Sequence, residues 1–342
     1  MSNSQKPVAS TLMVVIAFAI VYIVWGSTYF FIRMSIEHIP PMLMGALRFM
    51  TAGLLLLLWC AVRGERLFIW RNIRPAIVSG VLLLCTGNGV LIWSEQYLTT
   101  SLAAILLASG PIWFVLLDRR NWGENLRSKE TITGLMIGIV GVVLLFGDRL
   151  LPGLFGSPHP SIPPAAPASS HATTPSFFAS GNGQLVAMGI LLLGSISWAA
   201  GSIYSKYHSK GDSHSVSAGW QMLAAGVIFL PAAWVSGETR GFHWTDVAMS
   251  SWLSLIYLIT LGSLAGYSAF VWLLQVRSPT QVSTHAYINP VVAVLLGTLF
   301  AGEQMSVSQV LGLTVILVSV LLINLAKYRK AASARLRSAE AA

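Results

Sequence analysis

Charged residues are scarce in this chain. Only 10% of its 342 residues are Asp, Glu, Lys or Arg, whereas 55% are hydrophobic. A soluble domain usually carries about a quarter charged residues, and a water-soluble fold of this size could not bury so much apolar surface. The composition therefore excludes an ordinary soluble protein and predicts an integral membrane protein.

Cysteines and clustered basic residues are also lacking. Cys60 and Cys85, the only two cysteines, both lie in apolar runs, which indicates neither a disulfide framework nor a cysteine metal site. The net charge is +9, but the basic residues lie in short segments between apolar runs. A nucleic-acid-binding protein would carry them on one face with aromatic residues among them. We therefore expect no nucleic acid, metal or cofactor.

Apolar windows of membrane-spanning length recur along the chain. A helix needs about 20 apolar residues to cross a bilayer, and lipid cannot satisfy the backbone polar groups of an open strand. We therefore predict an all-α integral membrane fold with ten transmembrane helices. The expected ranges are 11–32, 41–62, 75–94, 99–118, 131–147, 184–204, 216–235, 249–275, 282–301 and 308–326.

The placement of lysine and arginine predicts the orientation, because cytoplasmic loops carry an excess of both residues. With the N-terminus inside, most of the 21 basic residues lie on the cytoplasmic side. Only Arg33, Arg149 and Arg240 fall outside, and Arg48 lies within a span. We expect a multi-pass protein of the bacterial inner membrane with both termini in the cytoplasm, in which Arg33 is a topological anchor.

A Pro-, Ser- and Ala-rich segment interrupts the hydropathy at residues 148–183. Its sequence "SPHPSIPPAAPASSHATTP" cannot build a core and favours extended chain, so we interpret it as a periplasmic linker. Two histidines on such a segment are weak evidence for metal. The linker separates a first five-helix half, residues 1–147, from a second half, residues 184–326, which a basic tail follows at 327–342.

The two halves share a sequence pattern. "VWGSTYFFIR" (24–33) matches "SWAAGSIYSK" (197–206), and "GNGVLIWSEQ" (87–96) matches "GYSAFVWLLQ" (266–275). Arg48 then corresponds to Gln221, and Pro111 to Pro290. Because each half has an odd number of spans, the halves would be inverted relative to each other. Inverted repeats are typical of secondary transporters, whose site lies near the membrane midplane.

These segments also carry a family resemblance. "WGSTYFFIR", "PPMLMGALRFMTAG", "GSISWAAGSIY", "YINPVVAVLLGTLFAGE" and the paired "GE" resemble the EamA branch of the drug/metabolite transporter superfamily over nearly the whole chain. The long linker and His285 depart from that pattern. The resemblance implies a five-plus-five helix fold, a central cavity lined mainly by spans 1, 3, 4, 6, 8 and 9, and export of small metabolites or drugs by alternating access. It does not supply a substrate.

Polar and aromatic residues in these spans are the candidate substrate-binding residues. Each polar side chain at depth either bonds a neighbouring helix or contacts substrate. The tryptophans either anchor the protein at the membrane interface or form cavity walls that suit apolar, aromatic or cationic solutes. The candidates are Trp25, Ser27, Thr28, Arg48, Asn88, Trp93, Trp198, Ser202, Tyr267, Trp272, Tyr287 and Asn289.

Several ionisable residues and prolines leave two interpretations open. Arg48 either extends toward the outer headgroups or contacts an anion or a carboxylate such as Glu95. Glu95 and His285 are candidates for proton coupling, with a simple helix-end role as the alternative. The bends expected at Pro111 and Pro290 either shape the packing or act as hinges.

Two further motifs concern helix ends and helix packing. Glu124 and Glu303 precede spans 5 and 10 and are expected to cap those helices. The small-residue pattern "GLMIGIVG" at 134–141 is expected to pack closely on a neighbouring helix, within the chain or across a dimer. We therefore expect either a monomer or a homodimer in the lipid bilayer.

We expect a secondary exporter of small organic solutes and not an enzyme. The chain has no Walker A motif, which excludes ATP-driven transport by this chain alone. An enzyme acting on lipids would need clustered His, Asp or Cys near the interface, and the sequence offers none. Uptake or exchange by the same fold remains an alternative, and the paired prolines argue against a channel.

Overall fold

The computed structural model describes residues 10–125, 127–146, 182–209, 213–277, 279–319 and 321–322, and all regular elements within these ranges are helices. The predicted all-α class is confirmed for this part of the chain. Most of the predicted linker and the basic tail lie outside the described residues.

Among the described residues, seven helices are long and apolar enough to cross a membrane. The described helices are α1 (Thr11–Ile36), α2 (Pro41–Val62), α3 (Trp70–Ser94), α4 (Thr100–Leu117), α5 (Lys129–Leu145), α6 (Asn182–His208), α7 (His214–Val235), α8 (Met249–Val276), α9 (His285–Phe300) and α10 (Val307–Ser319). Shorter helices α5, α9 and α10 cover the other three predicted spans. The count of ten membrane crossings stays a prediction.

Side-chain and backbone chemistry fixes where these helices begin. Pro41 opens α2 at a position where its missing N–H costs nothing. Ser128 and Ser213 cap α5 and α7 by accepting a hydrogen bond from the backbone N–H three residues later. Gly64 ends the turn after α2 at φ 74°, a backbone conformation that favours glycine.

Glycines bring α2 and α7 into close contact and so join the two halves of the chain. A Cβ atom on Gly53 would lie 2.6 Å from the backbone nitrogen of Leu223. A Cβ atom on Gly226 would meet the backbone nitrogen of Met50. Small residues permit this backbone approach, which is a common means of packing helices in membranes.

Two helices contain a π-helical stretch that the sequence analysis did not predict. It covers Val81–Asn88 in α3 and Leu258–Tyr267 in α8. Such wider turns are rare and occur often at functional sites. The pairing of 87–96 with 266–275 places the two stretches at corresponding positions of the two halves.

The two predicted bends differ in their local structure. Helix α4 is interrupted by a turn at Ala108 and Ser109, directly before Pro111. By contrast, α9 continues through Pro290 from His285 to Phe300.

Candidate functional site

A central cavity lies where α1, α2, α3, α4, α6, α8 and α9 meet. The cavity volume is about 80 Å³, so the chamber is narrow in this conformation. The resemblance implied six of these helices; α2 is an addition and contributes Arg48 and Phe49. Ten candidate residues line the cavity: Trp25, Thr28, Arg48, Asn88, Pro111, Trp198, Tyr267, His285, Asn289 and Pro290.

Trp25 lies at the centre of an aromatic cluster in the cavity wall. Its ring centroid is 5.4 Å from that of Trp198, 4.8 Å from that of Phe270 and 5.4 Å from that of His285. Tilted and edge-to-face rings at such distances attract one another beyond simple apolar burial. Trp25, Trp198 and His285 of this cluster line the cavity.

Each of the two tryptophans packs against a glycine in the π-helical stretch of the opposite half. A Cβ atom on Gly266 would lie 2.6 Å from Trp25 Nε1, and one on Gly87 would lie 3.0 Å from Trp198 Cε3. A larger residue at Gly266 would therefore displace the indole of Trp25. Hydropathy cannot reveal these partners, because they are distant in sequence.

Arg48 is buried in the cavity wall with 3% of its surface exposed. Its Nε donates to Ser263 Oγ at 2.9 Å and its Nη1 to Asn88 Oδ1 at 3.4 Å. The guanidinium carbon lies 4.8 Å from the ring centroid of Phe49, a cation–π arrangement. Within the described part of the chain no carboxylate pairs with it, and Glu95 acts on it only at longer range.

The corresponding position of the second half, Gln221, has different contacts. Its Oε1 accepts a hydrogen bond from Tyr267 Oη, and its Nε2 donates to Ser217 Oγ at 3.0 Å. Both partners belong to the second half, whereas Arg48 reaches Ser263 of the other half.

Four candidate substrate-binding residues with described side chains do not line the cavity. Ser27 Oγ bonds the carbonyl of Val24 at 2.7 Å and Tyr257 Oη at 2.6 Å, and Ser202 Oγ donates to the carbonyl of Trp198 at 2.8 Å. A helix turns by about 100° per residue, so adjacent Ser27 and Thr28 face different neighbours. The other two are Trp93, which packs on Tyr97, and Trp272, which lines a separate cleft. The side chain of Tyr287 lies outside the described residues.

Glu95 and His285, the candidates for proton coupling, lie in different places. His285 lines the cavity, with Nδ1 2.9 Å from the carbonyl oxygen of Val282. Glu95 is fully buried directly after α3, and neither carboxylate oxygen has a hydrogen-bond partner among the described residues. The charges that act on it most strongly are those of Arg33, Glu303 and Arg48. No group of three metal-ligating side chains occurs in the described ranges.

Arg33 has a structural contact beyond its predicted role as an anchor. Its Nη1 donates to the carbonyl of Glu95 at 2.5 Å, at the end of α3. Lys206 does the same at the end of α8, donating to the carbonyls of Leu274 at 2.5 Å and Gln275 at 3.1 Å. Cations at helix C-termini satisfy unpaired carbonyls and favour the helix dipole.

Glu303 caps a different helix from the one we predicted. Its carboxylate accepts the backbone N–H of Thr100 at 2.7 Å and that of Ser101 at 2.9 Å, at the start of α4 and not of α10. Glu238 likewise accepts the N–H of Met42 at 2.8 Å and of Leu43 at 3.1 Å at the start of α2. Both carboxylates thus join the second half of the chain to the first. The side chain of Glu124 lies outside the described residues.

Sequence reasoning missed several residues of the cavity wall, including Tyr29, Phe49, Ser195 and Ser263. Of the two hydrogen-bond partners of Arg48, Ser263 is at the shorter distance, yet it is one of many serines in apolar runs. Only its position relative to Arg48 in the folded chain distinguishes it.

Comparison with known proteins identifies the family. The sequence model of the EamA-like transporter family matches residues 12–147 and 185–325. The Escherichia coli K12 protein named "Uncharacterized inner membrane transporter YedA" is 35% identical over 308 residues, covering 90% of this chain and 89% of the relative. The "Probable amino-acid metabolite efflux pump" of the same strain is 25% identical over 335 residues, covering 91% and 95%.

A solved crystal structure has a similar fold. It is 18% identical, has a TM-score of 0.62, and the alignment covers 94% of this chain and 99% of the other. At this identity the likeness concerns the fold alone. Together with the apolar helices and the family match, it leads to one conclusion: the chain belongs to the EamA-like transporter family and is a multi-pass membrane transporter.

Proposed function

We propose that this protein is a secondary transporter that exports small organic solutes across the bacterial inner membrane by alternating access. The observation that supports this best is the central cavity, which helices from both halves of the chain enclose. In transporters built from two repeats, one repeat moves against the other around a site at their interface. The name of the efflux-pump relative favours metabolites as the solutes.

The proposal includes ten spans arranged as two inverted repeats. Matched contacts support it: Arg33 caps α3 as Lys206 caps α8, and the two π-helical stretches fall at paired positions. The tryptophan of each half also packs on the glycine of the other. Contacts that recur with the sequence pattern are expected if one five-helix unit was duplicated.

In the proposed orientation, the carboxylates of Glu238 and Glu303 lie on the periplasmic side and join the two halves there. An outward-open state would have to release or lengthen these contacts. Glu95 lies at the same end of the molecule, and His285 lies in the cavity; we propose these two as the candidates that couple proton movement to opening.

The role of the cavity can be tested by filling it. Gly110 lines the cavity, and a Cβ atom there would meet nothing nearer than Ser195 Oγ at 3.9 Å. We expect Gly110→Leu to block export while the protein remains folded and abundant in the membrane. The matched control is Gly189→Leu in α6, where a Cβ atom would have no neighbour within 4 Å.

The measurement needs a substrate, which a comparison of metabolites in the medium of deletion and overexpression cells would supply. Accumulation of that metabolite in inside-out vesicles then compares wild type with both variants. Normal accumulation with Gly110→Leu would contradict a transport route through this cavity. Collapsing the proton gradient should stop accumulation if export is proton-coupled. Unchanged accumulation would contradict proton coupling.

A further inference from the structure

Arg48 carries a positive charge for which the described part of the protein provides no direct ion pair, although Glu95 acts on it at longer range. It is buried, and its two hydrogen-bond acceptors, Ser263 Oγ and Asn88 Oδ1, are both neutral. None of the described residues that line the cavity is Asp or Glu. Because an unpaired buried charge is strongly unfavourable, a membrane protein keeps one where an ion or a ligand completes the pair.

The guanidinium also retains unused donors. It has five N–H groups in a planar fork, and Nη2 has no acceptor among the described residues. Gly262 lets the backbone of α8 approach this nitrogen closely, since a Cβ atom there would lie only 3.1 Å from Nη2. The planar fork matches the two oxygens of a carboxylate.

Trp198 provides a second donor in the wall of the same cavity. Its Nε1–H is buried without an acceptor in the described ranges. The paired residue Trp25 differs, because its Nε1–H donates to the carbonyl of Gly262 at 3.1 Å. A buried indole N–H usually has a partner, so an acceptor brought by the solute would satisfy Trp198.

From these donors and the aromatic wall we infer that the substrate is a small organic carboxylate with an apolar or aromatic body, bound through Arg48 and Trp198. This inference rests on the proposed function and names its substrate class. The carboxylate takes the charge of Arg48 and the N–H of Trp198, and the body packs against the rings of Trp25 and Trp198.

Three probes of similar shape test the charge preference: benzoate, benzamide and benzylamine. Binding to the purified full-length protein in detergent is followed by calorimetry at neutral pH. We expect benzoate to bind about tenfold or more tightly than benzamide, and benzylamine most weakly, because only the anion pairs with Arg48. Equal affinity for benzoate and benzamide, or no binding of any probe, would overturn the inference.

Variants then assign the preference to residues. Arg48→Gln should remove the advantage of benzoate over benzamide, and Trp198→Phe should reduce it a few-fold by deleting the N–H while keeping a ring. Arg63→Gln, in the turn after α2, is the matched control and should bind as wild type. Where Arg48→Gln does not fold, Arg48→Lys serves instead; it keeps the charge without the fork and should weaken benzoate but not benzamide.

Reconstituted vesicles separate this inference from the proposed function. If the wild type shows counterflow of radiolabelled benzoate and Arg48→Gln does not, the result supports both the transporter function and the carboxylate substrate. If the protein transports other solutes but shows no preference for anions, the proposed exporter function stands and the inferred carboxylate substrate is wrong. Selective benzoate binding without any transport would support the carboxylate site and contradict the exporter.

Discussion

The two halves of the chain make matching contacts at helix ends but differ in the residues that face the cavity. In each half a basic residue of the first helix, Arg33 or Lys206, caps the end of the third helix. At the paired position of the second helix, however, the first half has Arg48 and the second has Gln221. Arg48 bonds across to Ser263, whereas Gln221 bonds Tyr267 and Ser217 within its own half.

The contacts that recur in both halves lie at helix ends, whereas the position that differs carries the charge in the cavity wall. Contacts that hold a five-helix unit together recur, because the same local problem, such as an unpaired helix end, recurs in both halves. Under the proposed substrate class, a single solute needs only one charged partner, which accounts for a charge that occurs once. The cavity is thus an asymmetric site within a scaffold that we propose to be duplicated.

The largest expected effect is that of replacing Arg48 by glutamine, the residue that the second half has at the paired position. Arg48→Gln should lower export of the identified metabolite by more than about tenfold, since losing a hydrogen bond to a charged group typically costs about 1.5–3 kcal/mol. Membrane abundance should not change. Gln221→Ala, on the other half, should lower thermal stability and leave most of the transport activity.

Vesicle uptake normalised to the amount of protein measures both variants. An equal loss of abundance and transport with Arg48→Gln would mean that Arg48 holds the fold together. Equal loss of transport from both variants would mean that the two positions share one role.

The paired glycines offer a second, smaller comparison. Gly266→Ala forces a contact with Trp25, where a Cβ atom would be 2.6 Å from Nε1, and should destabilise the protein by about 1–3 kcal/mol. Gly87→Ala should cost less, because its nearest atom, Trp198 Cε3, is 3.0 Å away. The apparent Tm in detergent checks this order.

Gly189→Ala is the control for this series, since nothing lies within 4 Å of its Cβ position. Alanine there should leave the Tm unchanged or slightly higher, because alanine favours helix over glycine. A Tm that falls equally in all three variants would show that helix geometry, and not the tryptophan contact, determines the result.

Much of this fold could be predicted because lipid imposes it. Runs of apolar residues long enough to cross a bilayer give the helices, and Pro41 marks the start of α2 at the predicted residue. Charged residues in such runs are few, and the sequence match between the halves indicated Trp25 and Tyr267, so selecting Arg48, Trp25 and Tyr267 as candidates required no structure.

The rest depends on information that hydropathy does not contain. Ser27 and Thr28 are adjacent in sequence, and only the rotation of α1 decides that Thr28 lines the cavity. The π-helical stretches depend on hydrogen-bond register, which apolar periodicity does not record. Glu303 lies just before α10 but caps α4, about 200 residues away in sequence, because tertiary packing brings that helix end closer.

The last expected effect concerns pH and one of the two caps between the halves. Burial raises the pKa of Glu238 to about 7, although the N–H groups of Met42 and Leu43 act in the opposite direction. In the unfolded chain the carboxyl titrates near its usual value of 4.5. Between these values the folded state binds more protons than the unfolded state, so stability falls as the pH rises.

We therefore expect the apparent Tm of the wild type to decrease between about pH 5 and about pH 8, with a contribution from Glu238 of at most about 3 kcal/mol. Glu238→Gln keeps an acceptor for the N–H groups of α2 but does not titrate in this range. Subtracting its pH profile from that of the wild type isolates the Glu238 contribution from all other groups. If the pH profiles of the wild type and Glu238→Gln are parallel, the carboxylate of Glu238 is ionised throughout this pH range. Its hydrogen bonds to the N–H groups of α2 then persist across the range. A stability difference that falls with rising pH would instead show that ionising Glu238 weakens this contact at the start of α2 at neutral pH.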